Sequence, residues 1–184
     1  MSEKEKMLSG LPYLAGDEIL IKERRQAKRL LRQLNVTEYL VTKTAKSIIK
    51  ELIPNAGKNF YIEPPFHCDY GYNIQCGENV YFNVNCVVLD CVKVSIGNHV
   101  LIGPGVQIYT ATHPVDAEER KTLESAHPIH IGNNCWIGGG AIILPGISIG
   151  DNCVIGAGSV VTKNIPNDSL AVGNPAKVIK NLKS

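Results

Sequence analysis

Aromatic side chains are scarce: one Trp, three Phe and seven Tyr make up 6% of 184 residues. The core must therefore be filled mainly by aliphatics. No stretch approaches the roughly 18 apolar residues of a membrane span, which excludes a transmembrane helix. The six cysteines, at 68, 76, 86, 91, 135 and 153, include no C-x-x-C pair for zinc or redox work. A net charge of only +2 leaves no electrostatic footprint for tracking nucleic-acid phosphates. The charged start, Met1 to Met7, is not followed by an apolar leader core, so a cytoplasmic chain with reduced thiols is expected. The matches to N-x-S/T at Asn35 and Asn167 then carry no weight. With 44% hydrophobic and 20% charged residues, disorder is excluded as the main state. At about 150 residues per domain, the length predicts one domain plus a small appendage.

What is present is a repeat. From Ile131 the chain falls into sixes that begin at Ile131, Ile137, Ile143, Ile149, Ile155 and Val161. Their fifth positions are Cys135, Ala141, Ile147, Cys153, Ser159 and Ile165, and Gly holds the second position in four of them. Neither a 3.6 nor a 2.0 period produces this pattern. Six-residue units with one β-branched and one small residue pointing inward build a coil walled by short parallel strands, with Gly where the chain must turn. Three units make one triangular turn, so each first-position residue stacks on the one 18 residues later. Between Ile131 and Ile165 the only charges are Asp151 and Lys163, which suits a surface partly covered by other subunits.

Upstream, Ile96, Ile102 and Ile108 begin three more sixes, with Val100, Val106 and Thr112 fifth. The frame then slips by two: Tyr70, Cys76, Phe82 and Val88 come first, and Ile74, Val80, Cys86 and Val92 fifth. Five of the six cysteines fall on these positions and read as small buried hydrophobes. Between the frames, residues 113–128 form a polar excursion bracketed by prolines, and loops of that length inside compact domains are usually functional or disordered.

The first 58 residues differ. Asp17 is placed to cap a helix from Glu18 to Leu34, with Ile19, Leu20, Ala27, Leu30, Leu31 and Leu34 on its apolar side. A second helix is expected from Thr37 as N-cap to just before Pro54, with Leu40, Ile48 and Leu52 inward. Lys22, Arg24, Arg25, Lys28, Arg29 and Arg32 read either as a solvated helix face or as cover for the open end of the coil and one side of a cleft. The expected organisation is a helical segment over 1–58 and a coil over 59–184, with the excursion and a C-terminal tail.

These residues resemble a known family: the hexapeptide-repeat acyltransferases, and within them the sugar O-acetyltransferases of the maltose and galactoside type. The resemblance covers nearly the whole chain. It rests on the helical N-terminal segment, the stretch Tyr61 to Ile74, Phe82-Asn-Val-Asn-Cys86, Leu89-Asp90, Tyr109-Thr-Ala-Thr-His-Pro114, the run 131–138, and Ala171-Val-Gly-Asn-Pro-Ala-Lys177. It implies a mainly β fold, a left-handed parallel β-helix with a small N-terminal α-helical segment. It further implies a homotrimer with active sites between subunits, acetyl-CoA as donor, no required metal and direct attack by a sugar hydroxyl. His113, in the Thr-His-Pro context, is the implied general base, a task that suits a side chain titrating near neutrality.

By the same resemblance Asn83 contacts the substrate or the developing charge, and a backbone N–H near Gly139 or Gly140 receives the oxyanion. The acceptor sugar is assigned to Asp17, Asp69, Asn83, Asp90 and Cys91. Galactoside enzymes carry Asp where this chain has Cys91, a departure that favours a maltose or glucose acceptor. CoA is assigned to Gly139, Gly140, Ala157, Thr162, Lys163, Lys177 and Lys180, the last two being Lys where galactoside-type relatives carry Arg. Glu124 is a further candidate, as the group that orients His113. Galactosides, xenobiotics and serine stay open as acceptors. So do a zinc hydro-lyase using His99, His113 and His130 on the same coil, and a non-catalytic scaffold.

Overall fold

The computed structural model describes residues 1–37 and 42–183. Three short helices lead into the coil: α1 (Glu3–Leu8), α2 (Glu18–Asn35) and α3 (Lys43–Leu52). Asp17 caps α2 as its position predicts, Oδ1 accepting from the amides of Ile19 and Leu20 at 3.0 and 3.2 Å. The start of α3 departs from expectation: its N-cap is Thr42, whose hydroxyl accepts from Ala45 N. Thr37 instead closes α2, giving its amide to Leu34 O and its hydroxyl to Gln33 O. Leu40 lies outside the described residues.

The rest is a triangular parallel β-helix. Its first wall stacks Asn55–Ala56, Ile74–Cys76, Val94–Ile96, Ile129–Ile131 and Ser148–Ile149. The second stacks Tyr61–Ile62, Tyr81–Phe82, Leu101–Ile102, Trp136–Ile137, Val154–Ile155 and Ser169–Gly173. The third stacks Phe66–Cys68, Cys86–Leu89, Gln107–Tyr109, Ile142–Ile143 and Val160–Val161. The coil thus begins at Asn55, ahead of residue 59. The expected tail is a strand, Ala176–Asn181, folded back antiparallel on Ser169–Gly173 at the edge of the second wall.

Turn length is not uniform. On the second wall Ile62 lies under Phe82 and Phe82 under Ile102, twenty residues apart each time. Ile102 then lies under Ile137, Ile137 under Ile155 and Ile155 under Ala171, spacings of 35, 18 and 16. The 18-residue period therefore holds only in the later turns, and a second slip of two corrects the upstream frame. Cys68, not Tyr70, occupies the rung below Val88. Tyr70 packs instead in a smaller cluster with Met7, Tyr13, Leu20, Cys91, Val92 and Ala126. The main core is an aliphatic column from Ile62 to Ala171 that continues into α2 and α3, and all six cysteines are buried as free thiols. Among the described residues no helix is long and apolar enough to cross a membrane.

Candidate functional site

Every extra residue is spent at one place. The corner between the third and first walls, here the third corner, carries the insertion between Cys68 and Ile74, the one between Leu89 and Val94, and the excursion between Tyr109 and Ile129. The first two inserts are stitched by Asp90. Its Oδ1 accepts from the amides of Asp69 and Tyr70 at 3.0 and 2.9 Å, and its Oδ2 from Gly71 N at 2.7 Å. Gly71 has φ +82°, and a Cβ there would meet Leu52 O at 2.2 Å, so only glycine fits. Asn73 Nδ2 donates to the carbonyls of Asp90 and Cys91. Asp90, expected to face the sugar, is 0% exposed with both oxygens occupied by backbone donors, so its carboxylate is committed to the corner. Burial and the neighbouring Asp69 push it up to about 7, against the pull of those amides.

Asp69 is the carboxylate nearer solvent. Cys91 Sγ donates to its Oδ2 at 3.7 Å. Burial raises this carboxyl above the usual range, while the Cys91 thiol and Arg24 act to lower it. Arg24 gives Nη1 to Tyr70 OH at 2.7 Å and Nη2 to Ala15 O at 2.6 Å. Burial pushes the Cys91 thiol up to about 12, so it stays protonated and donates. Asp17 is half-buried, with Oδ1 spent on the cap of α2.

The excursion is more ordered than its composition predicts. Asp116 turns it through a 3₁₀ helix at Glu119–Lys121, and it returns as a strand, Leu123–Ala126. That strand pairs antiparallel on one side with Ala111–Thr112 and on the other with Tyr13–Leu14. His113 follows Thr112 and is exposed, with Nδ1 3.4 Å from Leu123 O. A carbonyl only accepts, so this contact favours the Nδ1–H tautomer and leaves the Nε2 lone pair for a substrate proton. Glu124 does not take the role considered for it. It accepts from Tyr13 OH at 3.0 Å.

The second corner, between the second and third walls, holds a different set. Asn83 is half-buried there, its Oδ1 accepting from Val84 N at 2.8 Å, which leaves its NH₂ to donate outward. On higher rungs Gly140 N donates to Pro104 O and Gly158 N to Gly139 O, at 2.8 and 2.9 Å. Of the two glycines expected near the oxyanion, Gly140 has thus spent its N–H. Gly139 N and, one rung on, Ala157 N make no hydrogen bond to the described residues. They form a pair of donors about one strand spacing, ~4.8 Å, apart.

The remaining expected residues are dispersed. Thr162 and Lys163 are exposed at the third corner, above the excursion, and Lys177 and Lys180 are exposed on the last strand. His99 is at the first corner and His130 on the first wall beside Ser95. Among the described residues no three His, Cys, Asp or Glu side chains are grouped to hold a metal ion. Tyr13 had not been singled out for the third-corner network, and Arg24 had been named only as one of six basic residues that could line one side of a cleft. Arg24 carried a signal, since it shares the helical stripe of Leu20, Ala27 and Leu31, where a cation needs a buried partner.

Residues 6–57 match the maltose acetyltransferase hexapeptide capping motif and residues 128–163 the hexapeptide repeat of succinyl-transferase. The chain is similar to a maltose O-acetyltransferase from Clostridium difficile 630, 52% identical with a TM-score of 0.97 over 100% of this chain and 99% of that one. It is also similar to a galactoside acetyltransferase in complex with coenzyme A, 40% identical with a TM-score of 0.94 over 99% and 92%. A hexapeptide-repeat acetyltransferase from Vibrio cholerae O1 biovar eltor, complexed with acetyl coenzyme A, is 37% identical with a TM-score of 0.92 over the full length of both chains. With its coil, its helical cap and full-length similarity at this identity, the chain belongs to the hexapeptide-repeat acetyltransferases of the maltose and galactoside type.

Proposed function

We propose that this protein transfers an acetyl group from acetyl-CoA to a hydroxyl of a maltose- or glucose-type sugar, with His113 as general base. The observation that carries the reading is the pose of His113. Its Nδ1 faces a carbonyl, which frees Nε2, and it stands at the corner that holds Asp69, Cys91 and Arg24. Nε2 takes the hydroxyl proton as the sugar oxygen bonds to the thioester carbonyl carbon. The carbonyl electrons move onto oxygen and are met by the Gly139 N–H and the Asn83 amide. When they return, the C–S bond breaks, and the sulfur leaves with the proton from His113. Asp69 and Asp17 accept hydrogen bonds from sugar hydroxyls. Ala157 and Thr162 flank the pantetheine and adenine, and Lys163, Lys177 and Lys180 meet the phosphates. The higher identity to the maltose than to the galactoside enzyme, 52% against 40%, and Cys91 in place of a third carboxylate support the maltose or glucose acceptor.

This chemistry needs more than one copy of the chain. His113 and Asp69 stand at the third corner, Asn83 and Gly139 at the second, with the width of a wall between them. We infer a homotrimer in which the third corner of one subunit meets the second corner of the next. The outer rows agree with such burial. The first wall shows Gln75, Ser95, His130 and Ser148 to the outside. The second shows Tyr61, Tyr81, Leu101, Trp136 and Val154, and the third Val87, Gln107, Ile142 and Val160. Trp136 and Leu101 are 56% and 54% exposed in the single chain, an apolar area of the kind that neighbours cover.

The test is CoA release from acetyl-CoA with maltose, glucose, galactosides and serine as acceptors. Turnover with maltose or glucose that falls roughly 10²- to 10⁴-fold in His113→Ala, with assembly unchanged, is the expected result. Release that no sugar stimulates, or that His113→Ala leaves intact, overturns the reading.

A further inference from the structure

The short antiparallel sheet at the base of the excursion is a row of three side chains. Ala111 pairs with Ala126 and Thr112 with Ser125, so the same register continued by one residue sets His113 beside Glu124. On the other side Glu124 pairs with Tyr13. Residues directly opposite in an antiparallel ladder share a face. Glu124 therefore stands between two groups able to donate to it, the His113 imidazole and the Tyr13 hydroxyl, and Tyr13 has it at 3.0 Å. His113 turns instead to the carbonyl of Leu123.

Tyr13 is built to hold that place. Its ring is 0% exposed, packed with Met7, Leu20, Tyr70 and Cys91. Burial, then the Cys91 sulfur and the Glu124 carboxylate, raise its phenol far above the ordinary value, so the proton it donates stays on. The backbone of the same strand is anchored as well. Leu14 pairs with Leu123, the residue whose carbonyl faces His113, and Leu14 N donates to Glu3 Oε2 at 2.6 Å. A line of contacts thus runs from α1 through two strands to the imidazole.

We propose that Tyr13 is a positioning residue for His113: by holding the Glu124 carboxylate it keeps the imidazole on the Leu123 carbonyl, with Nε2 free. This rests on His113 as the base, but its own readout does not. Tyr13→Phe keeps the buried ring and removes only the hydroxyl. Glu124, which only accepts, is then released to draw the imidazole round to its Nε2–H form, and the orientation of the base is lost. The experiment combines steady-state kinetics with NMR of protein carrying ¹⁵N-histidine, which reports the ring tautomer of His113. The expected result in Tyr13→Phe is a kcat lower by roughly ten- to a hundredfold, the size of effect a misplaced group produces, with the KM for acetyl-CoA unchanged. The Nδ1–H signal of His113 falls at the same time. Glu124→Gln, whose amide oxygen still accepts from Tyr13, keeps both values near those of the unsubstituted protein, and Glu124→Ala, which leaves no carboxylate to be released, keeps the Nδ1–H signal and restores it in the double variant with Tyr13→Phe. A tautomer unchanged in Tyr13→Phe overturns the proposal whether or not kcat falls. Loss of the Nδ1–H signal in Glu124→Ala also overturns it, because Glu124 would then hold the imidazole itself. Full activity in His113→Ala defeats the general-base reading alone and leaves the tautomer result to decide the role of Tyr13.

Discussion

Asp90 shows what a buried carboxylate does when it is not a ligand. Three amides converge on its two oxygens and fasten one insert of the third corner to the other. In Asp90→Asn one of those amides faces an NH₂ group instead of an acceptor, and an unpaired buried donor costs about 1–3 kcal/mol. Thermal unfolding of Asp90→Asn should show that loss, with acetyl transfer falling alongside as Asp69 shifts. The family resemblance gave Asp69 and Asp90 the same part, because both stand at positions matching the sugar contacts. Only the fold separates a half-exposed carboxylate from one with no face to solvent. His113, the base proposed above, was singled out by the Thr-His-Pro context of the resemblance. Tyr13 was not, since its importance comes from a partner 111 residues away.

At the level of the element, the first corner explains the Ile-Gly-Asn-Asn pattern. Asn98, Asn133, Asp151 and Asn167 each accept, through a side-chain oxygen, from a backbone amide one rung below. A Cβ at Gly97 would meet the Asn133 oxygen at 2.7 Å, which is why glycine precedes each of the donating residues, Glu78, Asn98, Asn133 and Asp151. Beside this runs a second ladder of left-handed residues. Asn59 bonds Asn79, Asn134 bonds Asn152, and Asn152 bonds Asp168. His99, with φ +57°, breaks the ladder between Asn79 and Asn134. Asn tolerates that conformation and supplies both a donor and an acceptor, so His99→Asn should stabilise the coil by about 0.5–1 kcal/mol, raising its Tm by a degree or more. The rungs were readable wherever the six-residue frame ran unbroken. Where inserts lengthened the turns, the frame misplaced Tyr70 and left Cys68 on the wrong rung position, because a two-residue insert in a loop has no period of its own. The same insertions, all at one corner, are the sequence signal for the corner that carries His113 and Asp69.

For the whole molecule, the division of the site between two corners gives a test that needs no structure of the assembly. His113→Ala and Asn83→Ala are each expected to be inactive alone. Co-expressed and purified together, they should regain activity, because a site can take its histidine from one variant and its asparagine from the other. Random mixing restores about a quarter of the sites in a cyclic trimer. No recovery in mixed assemblies would place both residues in one subunit, and light scattering should give a mass three times the 20.0 kDa of the chain.

The six cysteines settle how such a protein is best watched. All are buried, and burial holds Cys76 and Cys91 near 12 and Cys86 and Cys135 near 11, far from the thiolate that a disulfide reagent captures. While the coil is closed, colour developed from such a reagent counts product CoA and nothing else. Once acetyl-CoA is withheld, any colour that still grows is the coil opening, so a single cuvette serves as both a turnover meter and an unfolding clock.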